Sequence, residues 1–346
     1  MTEKTTLSLN IKKTWNWKHF FFQWEWLLVL IFILIHVINS FISPYYLNAG
    51  TLLNATMNFL DKAFIVFPMM MVIALGRIDI SVGANVALTS VLMAVLYNSG
   101  LPMPLALAAA LICGTILGGI TGLIQIKFPE LPPMIVTLAT MTIYRGIAFV
   151  ILRDRASGGF PGWFSFFAWG YVGPFPFILL LFIAASVIFS IVIHKTGFGR
   201  TIFGMGNNLL ACKYSGIKTD KVYMIVALLT GLMCGVCAIF LTSRMGSARP
   251  NIAQYYELDV IAMVVLGGVS TDGGVGRLIG PILAIFIIGY LSFGLGLMNV
   301  IAPVILVILG LLLILSVMVM NVRGKLRLPQ GRIKKGKSSV YAGVSK

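Results

Sequence analysis

Few side chains in this sequence stand at spacings that chemistry requires. Cys234 and Cys237 form a C-x-x-C pair, the spacing of dithiol redox centres and of half a zinc site. Both fall within an apolar stretch that holds no neighbouring His or basic residue, so small residues at a helix-packing face account for them. His19, His36 and His194 are scattered, and Cys113 and Cys212 stand apart from them, so no metal-ligand or nucleophile arrangement is expected. Gly216-Ile217-Lys218-Thr219 ends as a phosphate loop ends, but the first glycine of G-x-x-x-x-G-K-[ST] and the strand before it are missing. The chain is therefore expected to hydrolyse no ATP itself and to carry neither a cofactor nor a metal. Ion-coupled carriers keep charges at mid-bilayer, each costing roughly 2.5–3.5 kcal/mol on insertion scales. Here Asp79, Glu257 and Asp259 lie near the ends of apolar runs and only Arg145 sits well inside one. Ion-coupled secondary sugar transport is thus the alternative reading, with a non-transporting scaffold or receptor subunit as a third.

The elements that must position these residues are membrane helices. Hydrophobic residues make up 59% of the chain and charged residues 10%, too apolar a balance for one water-soluble core. Apolar runs at 26–43, 63–76, 82–98, 104–126, 133–152, 175–194, 222–242, 257–270, 277–298 and 301–320 predict an all-α polytopic membrane protein of about ten transmembrane helices. The second, third and eighth runs are short and abut Gly-containing polar breaks, which predicts broken, tilted or re-entrant segments. Gly114, Gly118 and Gly122, with Gly231 and Gly235, form small-x-x-x-small steps suited to close helix contact.

The net charge of +16 reads as positive-inside bias rather than nucleic-acid binding. Basic residues crowd the N-terminal segment, the loop from Lys195 to Lys221 and the tail after Asn321, whereas the other side holds only Lys62, Arg153, Arg155, Arg244 and Arg249. Both termini are accordingly placed in the cytoplasm, and no cleavable secretory signal is expected. The organisation expected is an interfacial segment over 1–25, with an aromatic belt of Trp15, Trp17, Phe20, Phe21, Phe22, Trp24 and Trp26 just before the first span, a transmembrane domain over 26–320, and a basic tail over 321–346 lying against anionic lipid. Two loops of the other side, 153–174 and 243–256, combine Gly, Pro and aromatics, as docking surfaces or as connectors resting on the bilayer.

Four segments then carry a resemblance. Gly76-Arg77-Ile78-Asp79-Ile80-Ser81-Val82-Gly83 resembles the I-D-L-S-V-G stretch of ABC-importer permeases of the ribose, xylose and galactose type. Leu131 to Thr140 followed by Tyr144-Arg145-Gly146, Gly199 to Asn208 followed by Ala211 and Ser215-Gly216-Ile217, and Val260 to Ser270 followed by Gly273-Gly274-Val275-Gly276 resemble further motifs of that family in the same order. Gly204, Asn207, Leu209 and Cys212-Lys213 depart from its usual residues, which bears on the identity of the partner ATPase rather than on the loop's role.

The resemblance implies that the loop Lys195–Lys221 holds a coupling helix seated in a separate cytoplasmic ATPase, through Gly204, Gly206, Asn207, Asn208, Ala211, Lys213, Ser215 and Gly216. Asn207 and Asn208 suit a helix cap, Leu209, Leu210, Ala211 and Tyr214 an apolar face, and Gly216 a left-handed end. An ordinary interfacial helix anchored by Lys213 and Lys218 is the plainer account of the same segment. The resemblance further implies a second permease copy or paralogue, a periplasmic or lipid-anchored binding protein, and the bacterial inner membrane. Asp79, Ser81, Asn85, Thr137, Thr140 and Arg145 are the candidate polar contacts of the path; packing hydrogen bonds, and helix capping at Asp79, compete with that role.

Overall fold

The computed structural model describes residues 24–301 and, beyond them, residues 303–308, 310–312, 314 and 318. The aromatic segment up to Phe22 and the basic tail 321–346 lie outside the described residues. In lipid, an apolar run can satisfy its backbone only as a helix. The helices are α1 (Trp24–Ile42), α2 (Ala49–Thr56), α3 (Leu60–Ala74), α4 (Val82–Asn98), α5 (Met103–Lys127), α6 (Pro133–Leu152), α7 (Phe166–Trp169), α8 (Phe177–Lys195), α9 (Gly197–Asn207), α10 (Leu209–Tyr214), α11 (Thr219–Met245), α12 (Tyr256–Leu266) and α13 (Ile279–Leu297). Four two-residue strands form two antiparallel ribbons: β1 (Ser157–Gly158) pairs with β4 (Ser247–Ala248), and β2 (Tyr171–Val172) with β3 (Phe175–Pro176).

Among the described residues, α1, α5, α6, α8, α11 and α13 are each long and apolar enough to cross a bilayer, and α2 with α3, bent by 57°, passes as a seventh. The chain is a helical polytopic membrane protein with broken segments, as its sequence predicts. The difference from about ten lies in the short third and eighth runs, which form α4 and α12, and in the tenth, 301–320, part of which lies outside the described residues. Helix α12 rises only ~16 Å over its length, about half of a ~30 Å hydrocarbon core. Its flanking loops are tolerated because protein surrounds them: Ile252 and Ala253 on one side and Gly267 and Val269 on the other are buried.

Helices α3, α4 and α12 form the interior and are buried on nearly every face, as apolar-all-round helices must be. Peripheral helices turn large apolar side chains outward at i, i+4 spacing, such as Ile112, Ile116 and Ile120 on α5 and Val187 and Ile191 on α8. The opposite stripe of α5 is glycine, and it meets the glycines of α11. A Cβ at Gly114 would lie 2.6 Å from the carbonyl oxygen of Gly231, and one at Gly118 would lie 2.5 Å from that of Ala227. The predicted small-residue steps are thus one helix–helix contact at backbone distance.

Candidate functional site

Two ends of the bundle gather the polar residues. At one end Thr196 closes α8 and opens α9, its hydroxyl accepting from the Gly199 amide at 3.3 Å. Asn208 opens α10, with Oδ1 accepting from the Ala211 amide at 2.9 Å, an Asn cap on the residue directly after α9. Gly216 ends the segment with φ of 80°, where a side chain would be strained. No residue of α10 is buried: Leu210 is 66% and Tyr214 91% exposed, one helical turn apart, with Ser215 and Lys213 exposed beside them.

Asn207 does not cap. It is the last residue of α9, and its Nδ2 donates to Phe203 O at 2.9 Å and to Gly274 O at 3.1 Å. Gly274 in turn donates its amide to Ala74 O at 2.8 Å, at the end of α3. Gly206 fits between them because it has no side chain; a Cβ there would overlap Ala74 O and the Gly274 amide. Gly204 is less constrained, with only the Cys212 sulfur 3.5 Å from its notional Cβ. The geometry therefore brings together three motifs far apart in sequence: the end of α9, the loop 270–276, and the α3–α4 break at 75–81.

Beyond that junction, Arg77 stacks 3.7 Å from the Tyr223 ring centroid and donates to Gln125 Oε1 at 2.9 Å, tying the break to α11 and α5. Asp79 is buried, and its Oδ1 accepts from the Ser81 amide at 2.9 Å and the Ser81 hydroxyl at 2.6 Å, a local turn ahead of α4 rather than a cap, because no described side chain accepts from the free amides of α4's first turn. Asn85 Nδ2 donates to Gly114 O at 3.2 Å, and its Oδ1 accepts from Thr89. Thr137 and Thr140 bond back to carbonyls of α6, and Arg145 donates to the carbonyls of Pro250 and Ile252 at 2.8 and 2.6 Å. All six path candidates thus hold internal partners in this conformation.

The opposite end carries the loops 153–174 and 243–256. They are zipped together by β1 and β4, and Asn98 at the end of α4 donates to the Ser157 hydroxyl at 2.7 Å. Beneath them Arg244 Nη2 meets Asp61 Oδ2 at 2.9 Å, the Tyr256 hydroxyl donates to the same oxygen at 3.0 Å, and Lys62 pairs with Asp259. Asp61 has a side chain only 1% exposed, which a carboxylate tolerates only with a partner of this kind.

The family described as the branched-chain amino acid transport system permease component matches residues 51–317. The ribose import permease protein of Bacillus subtilis is 38% identical over 291 residues, covering 84% of this chain and 90% of its own. The autoinducer 2 import system permease protein of Escherichia coli (strain K12) is 33% identical over 280 residues, 79% of this chain and 84% of its own. The chain belongs to this ABC-importer permease family. No solved structure matches the permease significantly.

Sequence reasoning missed three features of the permease. The Asp61–Arg244–Tyr256 cluster joins residues 183 positions apart and carries no local signal. The bond from Asn207 to Gly274 was hidden because an Asn after a helical stretch reads first as a cap. Pairing of the two loops through β1 and β4 left no trace in strands only two residues long.

Proposed function

We propose that the permease is the membrane-spanning subunit of an ATP-binding-cassette importer in a bacterial inner membrane, carrying a monosaccharide or similar small polar solute into the cytoplasm. A separate cytoplasmic ATPase drives it, a binding protein delivers the solute, and a second permease copy or paralogue completes the path. The observation that carries the reading is α10: a capped six-residue helix with Leu210 and Tyr214 turned outward, next to a junction that reaches the α3–α4 break. An exposed apolar pair at i, i+4 flanked by Lys213 suits insertion into a groove of another protein. Gly204, Gly206, Asn207, Asn208, Ala211, Lys213, Ser215 and Gly216 are the proposed coupling residues, within a cytoplasmic loop 195–221 of a transmembrane domain spanning 26–320.

On this reading the loops 153–174 and 243–256 face the binding protein, and both termini, with the interfacial segment 1–25 and the tail 321–346, lie in the cytoplasm against lipid. Sugar import is supported by the ribose permease of Bacillus subtilis, at 38% identity. Asp79, Ser81, Asn85, Thr137, Thr140 and Arg145 are the proposed path contacts, and of their present bonds the one from Asn85 to Gly114 would break if α4 shifted against α5. The test replaces Gly206-Asn207-Asn208 by three acidic residues and measures ATP-dependent ribose uptake in membrane vesicles. Uptake is lost while the chain still inserts; unaltered uptake would refute the coupling role.

A further inference from the structure

Between the ends of α11 and α12, the turn through residues 246–255 borders a cavity of about 400 Å³. Its lining divides by chemistry. Met245 and the Tyr256 ring give an apolar face over the buried Leu241, while Ser247, Arg249, Asn251 and Gln254 bring a hydroxyl, a guanidinium and two carboxamides. While Thr242 Oγ1 and Glu257 Oε2 are buried without a partner among the described residues, the basic side chains immediately around the cavity are engaged: Arg244 with Asp61, Lys62 with Asp259, and Arg145 with the carbonyls of Pro250 and Ile252. The four lining side chains differ, since none of them has a hydrogen-bond or ion-pair partner among the described residues. The turn is also held in a conformation that residues with side chains disfavour, with φ of 55° at Ala253 and 67° at Tyr255. Strain of this kind persists where surrounding contacts over-determine the backbone, here the Arg145 clamp.

We propose that this cavity receives the transported solute on the permease itself, as a low-affinity site for a neutral monosaccharide; the inference rests on the sugar-import reading above. Asn251 and Gln254 each offer a donor and an acceptor, the pair of functions a ring hydroxyl requires, and Arg249 offers a fork of donors to adjacent hydroxyls. Met245 and the Tyr256 ring take the C–H face of the sugar. No lining residue is a carboxylate, but Glu257, next to Tyr256, has an Oε2 with no partner among the described residues, so L-leucine is the probe that discriminates a sugar site from an amino-acid site. A few polar groups over an apolar floor in a cavity of this size match the general form of small-molecule sites, and a path site must bind weakly enough to release.

The test is saturation-transfer NMR on the full chain in nanodiscs with millimolar ribose, xylose, galactose and L-leucine as separate probes, comparing the wild type with Asn251→Leu/Gln254→Leu. Because both side chains are exposed and unbonded, the variant should melt with the wild type, and that is checked. At least one sugar receives saturation from the wild type, the variant reduces it by about fivefold or more, and leucine receives none. Equal transfer to the sugar from both proteins, no transfer to any of the three sugars, or transfer to leucine alone would overturn the proposal. Ribose uptake by wild-type vesicles is measured in parallel: uptake that needs ATP alongside a negative NMR result sinks this site only, whereas uptake independent of ATP sinks the importer reading.

Discussion

Asn207 illustrates how one side chain acquires a role that its neighbours in sequence do not reveal. Its type and position suit a helix cap, yet its amide holds Gly274, 67 residues away, and through Gly274 reaches the end of α3. Removing one such bond costs about 1 kcal/mol. Asn207→Ala is therefore expected to lower ATP-driven uptake by about fivefold while the amount of ATPase retained by the purified permease stays unchanged; an equal fall in both would place Asn207 in the docking surface instead. Arg244 and Asp61 test a different kind of residue. Arg244→Met strands a carboxylate that is nearly inaccessible to water, at a cost of about 3–5 kcal/mol, and thermal unfolding in detergent should show a clear fall in Tm. The double variant Asp61→Leu/Arg244→Met should recover most of that loss, because it removes the buried charge together with its partner.

At the scale of elements, most of the architecture is written in the sequence, because lipid demands uniform apolarity over each span and permits polar residues only at breaks. The runs that became α1, α5, α6, α8, α11 and α13 were legible for that reason. The bend between α2 and α3 was not, since Asn54, Thr56, Asn58 and Asp61 make the start of that segment too polar to read as membrane helix. Asp61 is buried there with Arg244 reaching it from α11 and the Tyr256 hydroxyl from α12. Glycine spacing on α5 and α11 was legible as a packing face, though not that the two stripes meet each other. Gly118→Leu should consequently destabilise by more than the roughly 1–3 kcal/mol usual for overpacking, because the obstacle is the Ala227 carbonyl and Gly231 backbone rather than a movable side chain. Unfolding midpoints of Gly118→Leu and Gly146→Leu decide it: nothing lies within 4 Å of a Cβ at Gly146, so that variant is the control and should change little.

Considered whole, the permease separates two kinds of polar work onto its two ends. One end presents a capped, outward-facing α10 joined to the α3–α4 break through Gly206, Asn207 and the loop 270–276. The other holds internally paired charges beneath two loops zipped by β1 and β4, beside a cavity with unengaged polar groups. Helices α3, α4 and α12 are buried between the ends. This arrangement fits a subunit driven by a partner at one face and supplied by another at the opposite face, and its weak point is the exposed surface of α10.

Co-purification of the tagged chain from its native membrane, with its associated proteins identified by mass spectrometry, tests that account most directly when the wild type is compared with Tyr214→Glu. The account predicts that a cytoplasmic ATPase accompanies the wild type and that the variant, equally abundant and equally well inserted, retains about tenfold less of it, as expected for loss of an aromatic anchor at an interface. A wild-type chain that is repeatedly isolated intact and without an ATPase, or a variant that retains the ATPase in full, would contradict it.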